Sequence, residues 1–210
     1  FFLNIYHVMV MHAYLVLGTP KSSFQWISYF NSISYQCSDD IFSLAELEHC
    51  IIRSAMSFPT QFLSRFVLPK STYDFALAKP EYRINFALNC GSRSNPKCVP
   101  VFKPAILDQQ LDEVSRLYLS AAVKVKKKNS KEVEVSLPRI CLWFSNDFGS
   151  GTDYVLRRVI PFMTKDVQDY LASCLSGERG KCHVSVKFLQ YSFECRKLAL
   201  TPEGGCSCNE

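Results

Sequence analysis

Uninterrupted apolar runs of about 20 residues, glycine-rich phosphate loops and Cys-x-x-Cys pairs are all missing from this chain. The first absence argues against a membrane span. The one strongly apolar stretch, Phe1–Gly18, is interrupted by Asn4, His7 and His12 and carries no basic leader, so a buried helix is expected there. The second absence removes the usual nucleotide-binding loop, and the third the usual dithiol redox motif. A dominant charge of one sign is also lacking. Lys and Arg number 24 against 19 Asp and Glu, for a net charge of +5, and no single face reads as basic, so nucleic acid is not indicated as a partner. Cys206-Ser207-Cys208 has no second Cys/His pair beside it, whereas tetrahedral zinc needs four ligands. The fourth residue from the end is Ser207, not the cysteine that prenylation requires. Neither a metal nor a cofactor is expected.

What remains is an ordinary globular composition, 48% hydrophobic and 20% charged. A chain of 210 residues buries roughly 70% of its unfolded surface without staples. The 10 cysteines sit mostly inside apolar runs, where Cys behaves as a small hydrophobe. Reduced thiols in a cytoplasmic setting are therefore expected rather than a disulfide framework. The chain opens on Phe1, already within an apolar run, and this predicts that residues precede it in the natural protein.

The pattern predicts a helix-rich α+β fold: a single domain with several helices around a small, mostly antiparallel sheet. Helices are expected over Phe1–Gly18 and Ser23–Phe30, followed by a hairpin of Ser32–Cys37 and Ile41–Phe42 about Ser38-Asp39-Asp40. Ser43-Leu44-Ala45-Glu46 has capping-box spacing and should open a helix reaching about Ala55, with Leu44, Leu47, Ile51 and Ala55 as its stripe. Pro59–Pro80 reads as irregular. Arg83–Cys90 alternates like a strand: Ile84, Phe86, Leu88 and Cys90 on one face, Arg83, Asn85, Ala87 and Asn89 on the other. Pro104–Ala121 is the clearest amphipathic helix, with Asp112 and Arg116 spaced as an exposed pair.

Beyond it, Val123–Leu137 should be a hairpin about Asn129-Ser130. Its lysines (Lys124, Lys126, Lys127, Lys128, Lys131) would face Glu132 and Glu134 across the strands, a solvated arrangement rather than a lipid or nucleic-acid patch. Helices are expected over Arg139–Asn146, Asp153–Met163 and from a Thr164 cap to Leu175, with a glycine break at Gly149–Gly151 and a late strand in Cys182–Phe193 that breaks near Phe188-Leu189. Residues 1–195 are expected to form the domain, and residues 196–210 a disordered tail.

Polar groups inside apolar segments need partners, since burying them unpaired costs a few kcal/mol each. Asn4, Tyr6, His12, Glu48, His49, Arg53 and Arg83 form such a set, with Cys90 beside them in sequence pattern. Glu48 lies on the apolar stripe of its helix, so it should be buried against Arg53, Arg83 or His12. The set reads as one shared network, either structural or catalytic. The catalytic candidates are Cys90 as nucleophile, His12 or His49 as base, and Glu48 as the orienting carboxylate.

The residues carrying this set follow a recurrent pattern. It runs Asn4-Ile5-Tyr6-His7 with His12-Ala13, then Ser43-Leu44 leading to Glu48-His49 and Arg53, then Arg83-Ile84-Asn85-Phe86-Ala87-Leu88-Asn89-Cys90-Gly91. The combination resembles the DUF547 family, a domain of unknown function, and the resemblance extends to about residue 195. It departs at three positions. The family usually has Asn where this chain has His7, His where it has Asn85, and Ser-Cys-Pro where it has Ser94-Asn95-Pro96. The resemblance implies a module without an established activity, often joined in eukaryotes to other parts such as glutaredoxin-like or DEP domains.

Two readings follow. The first is a non-catalytic interaction or support module of a larger intracellular signalling or redox protein, its partner an unidentified protein or a neighbouring domain, with no nucleic acid and no membrane. The second is a thiol-dependent enzyme: a Cys/His hydrolase or transferase, or a thiol–disulfide oxidoreductase. A pocket exposing Cys90 beside His12 or His49 would favour the second, and a sealed network the first.

Overall fold

The computed structural model describes residues 1–60, 67–129, 132–149, 151–176 and 182–201. The expected Asn129-Ser130 turn, Lys131, the middle of the Gly149–Gly151 break, Cys206, Cys208 and part of the Pro59–Pro80 stretch lie wholly or partly outside those residues. The architecture is α+β and helix-rich.

Helix α1 (Phe2–Leu17) buries Leu3, Tyr6, His7, Met9, Val10, Ala13 and Tyr14. Gly18 ends it at φ +78°. Helix α2 (Ser23–Ser32) starts on a Ser22 side chain that accepts from the Gln25 amide. The antiparallel hairpin β1 (Ser34–Cys37) and β2 (Asp40–Ser43) follows, as its turn residues predict. Ser43 then forms the expected capping box with Glu46 and opens helix α3 (Leu44–Glu46).

Beyond Glu46 the sequence expectation fails in an informative way. Instead of an α-helix to Ala55, the chain widens into a π-helical segment, Leu47–Ile52. The Arg53 amide bonds back five residues to the Glu48 carbonyl at 2.9 Å. At 3.6 residues per turn, side chains five apart diverge by about 140°. The wider turn lets Glu48 and Arg53 meet, and such insertions are frequent at functional sites.

The expected strand at Arg83–Cys90 is instead a short helix, α4 (Ile84–Ala87), followed by extended chain from Leu88. Ile84 through Ser92 are all buried. Alternation reports a strand only when one face sees solvent, and here neither does. Strand β3 (Cys98–Pro100) leads through a 3-10 turn at Pro104–Ile106 into the long helix α5 (Leu107–Ala122).

Strands β4 (Lys124–Asn129) and β5 (Glu132–Leu137) pair antiparallel, and β5 pairs parallel with β6 (His183–Phe188). Between them come α6 (Arg139–Trp143), α7 (Ser145–Phe148), α8 (Thr152–Val159) with a 3-10 turn at Ile160–Phe162, and α9 (Lys165–Leu175). Thr164 occupies the α9 N-cap position without a side-chain capping bond. Of the expected tail, residues 196–201 are described. They end in β7 (Ala199–Thr201), which pairs parallel with β3.

Two apolar clusters result. One gathers α1, the β1–β2 hairpin, α3 with its π segment, Ile84, Ala87 and Leu111. The other gathers Phe86, Tyr118 and Leu119 with strand β5 and helices α6 to α9. Helix α4 straddles them, sending Ile84 and Ala87 to the first and Phe86 to the second. Among the described residues no helix is long and apolar enough to cross a membrane.

Candidate functional site

The seam between the two clusters holds the polar network. Tyr6, fully buried on α1, donates to Glu48 Oε2 at 2.7 Å. Arg53 Nε donates to Glu48 Oε1 at 3.3 Å, and its Nη1 to Asn85 Oδ1 at 2.5 Å. The Arg53 guanidinium also lies 4.0 Å from the Phe144 ring centroid, a cation–π contact strengthened by desolvation. Asn85 Nδ2 reaches Asp147 Oδ2 at 3.2 Å, and Asp147 Oδ1 accepts from the Ser57 amide and hydroxyl at 2.7 and 2.6 Å. The chain of contacts thus runs from α1 through the π turn and α4 to α7.

Arg53 is only 3% exposed, and the Glu48 side chain 14%. Burial raises the Glu48 carboxyl, but His49, Arg53 and the Tyr6 hydroxyl outweigh it and hold the group below the usual carboxylate range. His49, whose Nε2 is 3.9 Å from Glu48 Oε1, is pushed down by burial to about 4. It is therefore neutral at pH 7, and Arg53 is the standing countercharge.

The structure brings together Tyr6, Glu48, His49 and Arg53, and separates the other sequence candidates. Arg83 does not meet Glu48. It binds Glu81, Asp108 and Asp112 at 2.8, 2.6 and 2.7 Å, so Asp112 answers chiefly to Arg83, with Arg116 at 3.8 Å. His12 is exposed and its Nδ1 contacts the Tyr35 hydroxyl at 2.9 Å. Asn4 clamps the Phe102 backbone, donating to its carbonyl and accepting from its amide at 2.9 and 2.8 Å.

Cys90 has its own hydrogen-bond partner, and the Glu48 charge is near enough to raise its thiol. Its Sγ lies 3.3 Å from the Tyr191 hydroxyl, which in turn is 3.2 Å from Asn95 Oδ1. The residue is 7% exposed. Burial pushes the thiol up to about 12, against the opposing pull of Tyr191 and the Ser92 backbone. Cys37, Cys50, Cys90, Cys141, Cys174 and Cys195 are free thiols.

Next to Cys90, His7 is buried on α1, where its Nε2 accepts the Asn89 amide at 3.2 Å. Gly91 takes φ +78°, and an added Cβ would meet Tyr14 Cε2 at 2.7 Å and the Arg196 carbonyl at 2.8 Å. Sequence reasoning missed Asp147, Tyr191 and Asn95. The signal available was a polar residue embedded among apolar or aromatic ones, as in Asn85 and Asp147. Among the described residues, no group of three or more His, Cys, Asp or Glu is placed to hold a metal.

A buried thiol, a charge-balanced carboxylate and a π turn at the Glu48-His49…Arg53 segment line a polar seam between two apolar clusters. The chain belongs to the DUF547 family of proteins of unknown function, whose model matches residues 1–119. The match spans α1 to most of α5, short of the residue-195 reach expected above. No curated protein and no solved structure matches the chain.

Proposed function

We propose that this domain is a non-catalytic interaction or support module of a larger intracellular signalling or redox protein. It acts in the cytoplasm, with its thiols reduced, and docks a protein partner or a neighbouring domain. The observation that carries this reading is the setting of Cys90. A nucleophilic cysteine needs a thiolate, solvent access and a base. Cys90 is buried, its thiol is pushed up to about 12, and its side-chain partner is a tyrosine hydroxyl rather than an imidazole. The Glu48–Arg53 pair likewise meets its needs internally, with Tyr6 and Asn85 completing the contacts.

Iodoacetamide alkylation of the folded and the urea-unfolded chain, read by mass spectrometry, tests it. Cys90 is expected to react at least about 100-fold more slowly when folded, because both access and thiolate fraction are lost. Rapid modification of folded Cys90 near neutral pH would support the thiol-enzyme alternative instead.

A further inference from the structure

A second feature stands apart from the network: a cavity of about 670 Å³ between α5, the 93–100 segment and the 189–196 segment. Tyr191 and Asn95 lie on its wall, and Cys90 does not line it. Its size falls within the range of small-molecule sites, which are mostly apolar with a few polar groups that orient the ligand. Phe86 and Tyr118, each 3% exposed, line it together with Val114 and Leu117 of α5. Leu117 is 41% exposed, a large apolar side chain left uncovered on this wall.

The polar groups of the wall divide into two kinds. Three of the amides, those of Asn89, Asn95 and Gln110, are satisfied internally. Asn89 holds the Pro96 carbonyl and the Gly91 amide, and Asn95 holds the Leu88 carbonyl and the Tyr191 hydroxyl. Gln110 holds the Val101 carbonyl and the Lys103 amide. The cations are different. Lys97, Lys124, Arg139 and Arg196 line the cavity, and none of the four is in a salt bridge among the described residues. Arg196 gives one guanidinium nitrogen to the Asn95 carbonyl, while its buried Nε has no hydrogen-bond partner among the described residues. A fifth cation, Arg93, is paired with Glu194 at 2.9 Å, and Glu113 is the one carboxylate on the wall among the described residues. Among the described residues, four cations outside any salt bridge against one acid give a mostly apolar cavity an excess of positive charge.

We propose that this cavity binds a small amphipathic anion, a molecule with an apolar body and a single carboxylate head. The apolar body packs on Phe86, Val114, Leu117 and Tyr118, and the head pairs with the guanidinium or ammonium groups of the wall. Neither an inorganic anion nor a neutral apolar molecule satisfies both parts.

The test uses the full chain and 1-anilinonaphthalene-8-sulfonate as an apolar anionic probe, read by fluorescence titration, with dodecanoate as competitor. N-phenyl-1-naphthylamine serves as the uncharged control and inorganic phosphate as the bare anion. Saturable binding of one probe per chain is expected, displaced by dodecanoate and not by phosphate. Arg139→Gln and Leu117→Glu should each weaken it by about tenfold or more. Lys124→Gln, on an exposed strand position, provides the charge test if either variant fails to fold, and near-UV circular dichroism separates site binding from binding to a loosened chain. Non-saturable binding, equal binding by the neutral naphthylamine, displacement by phosphate, or unchanged affinity in the folded variants would each overturn the proposal.

Discussion

His7 shows how a single residue links packing to solution behaviour. It is 1% exposed, and its Nε2 is committed as an acceptor to the Asn89 amide, so burial pushes its pKa down to about 4. His49 is depressed to the same value. An unfolded histidine titrates near 6.5. Between about 6.5 and 4 the unfolded chain therefore takes up protons that the fold refuses, and stability falls as the pH falls. The slope is at most about 1.4 kcal/mol per pH unit for each histidine. Glu48 acts in the same direction lower down: its depressed carboxyl contributes stability above the unfolded value, and this is lost as pH drops through the folded one. Urea midpoints measured from pH 7 to pH 4 should decline steadily. His7→Gln keeps an acceptor for Asn89 and should remove roughly half of the decline above pH 4; a profile parallel to that of the parent would show that His7 is not the titrating group. At this scale the sequence was partly legible. Glu48 and Arg53 stood out as charges on an apolar helix. Asp147 and Tyr191 did not, because their burial depends on contacts 90 and 101 residues away along the chain.

Elements were readable where one face meets solvent. Helices α1, α2 and α5, the β1–β2 hairpin and the paired strands β4 and β5 lie where periodicity and turn residues place them. The two failures have physical causes. Residues 84–92 are buried on every side, so alternating polarity carried no information about a strand, and Asn85 and Asn89 are partnered rather than exposed. The π turn at Leu47–Ile52 was invisible because an apolar stripe at 3.6 spacing fits its first turn equally well. Two element-level outcomes follow. Ser43→Ala removes the capping box that starts α3 and should lower stability by about 1 kcal/mol, measured by denaturant titration. Gly91→Ala combines a left-handed backbone with contacts below 3 Å to a tyrosine ring and a carbonyl. It should cost more, about 2–3 kcal/mol, in the same titration. A Gly91→Ala variant as stable as the parent would mean that the 88–92 segment is freer than its packing indicates.

For the molecule as a whole, the network is the joint between two apolar clusters. Glu48 and Tyr6 lie on the side of the first, while Phe144 under Arg53 and the neighbours of Asp147 belong to the second. Each cluster has one tryptophan packed against it, Trp26 on the first and Trp143 on the second. Both indoles also touch Phe193, and unfolding can be followed from each cluster in chains carrying Trp26→Phe or Trp143→Phe. Removing one partner of a buried pair costs about 3–5 kcal/mol, since the remaining charge stays buried and unpaired. With an m-value of roughly 2–3 kcal/mol per molar urea, that is a midpoint shift of about 1–2 M. The direct test is urea unfolding of Glu48→Ala in both single-tryptophan chains. A structural joint predicts that both probes lose about 1–2 M in midpoint, because Arg53 is stranded between the clusters. Midpoints equal to those of the matched parents at both tryptophans would contradict it, and would make Glu48 a solvated helix residue rather than the centre of the seam.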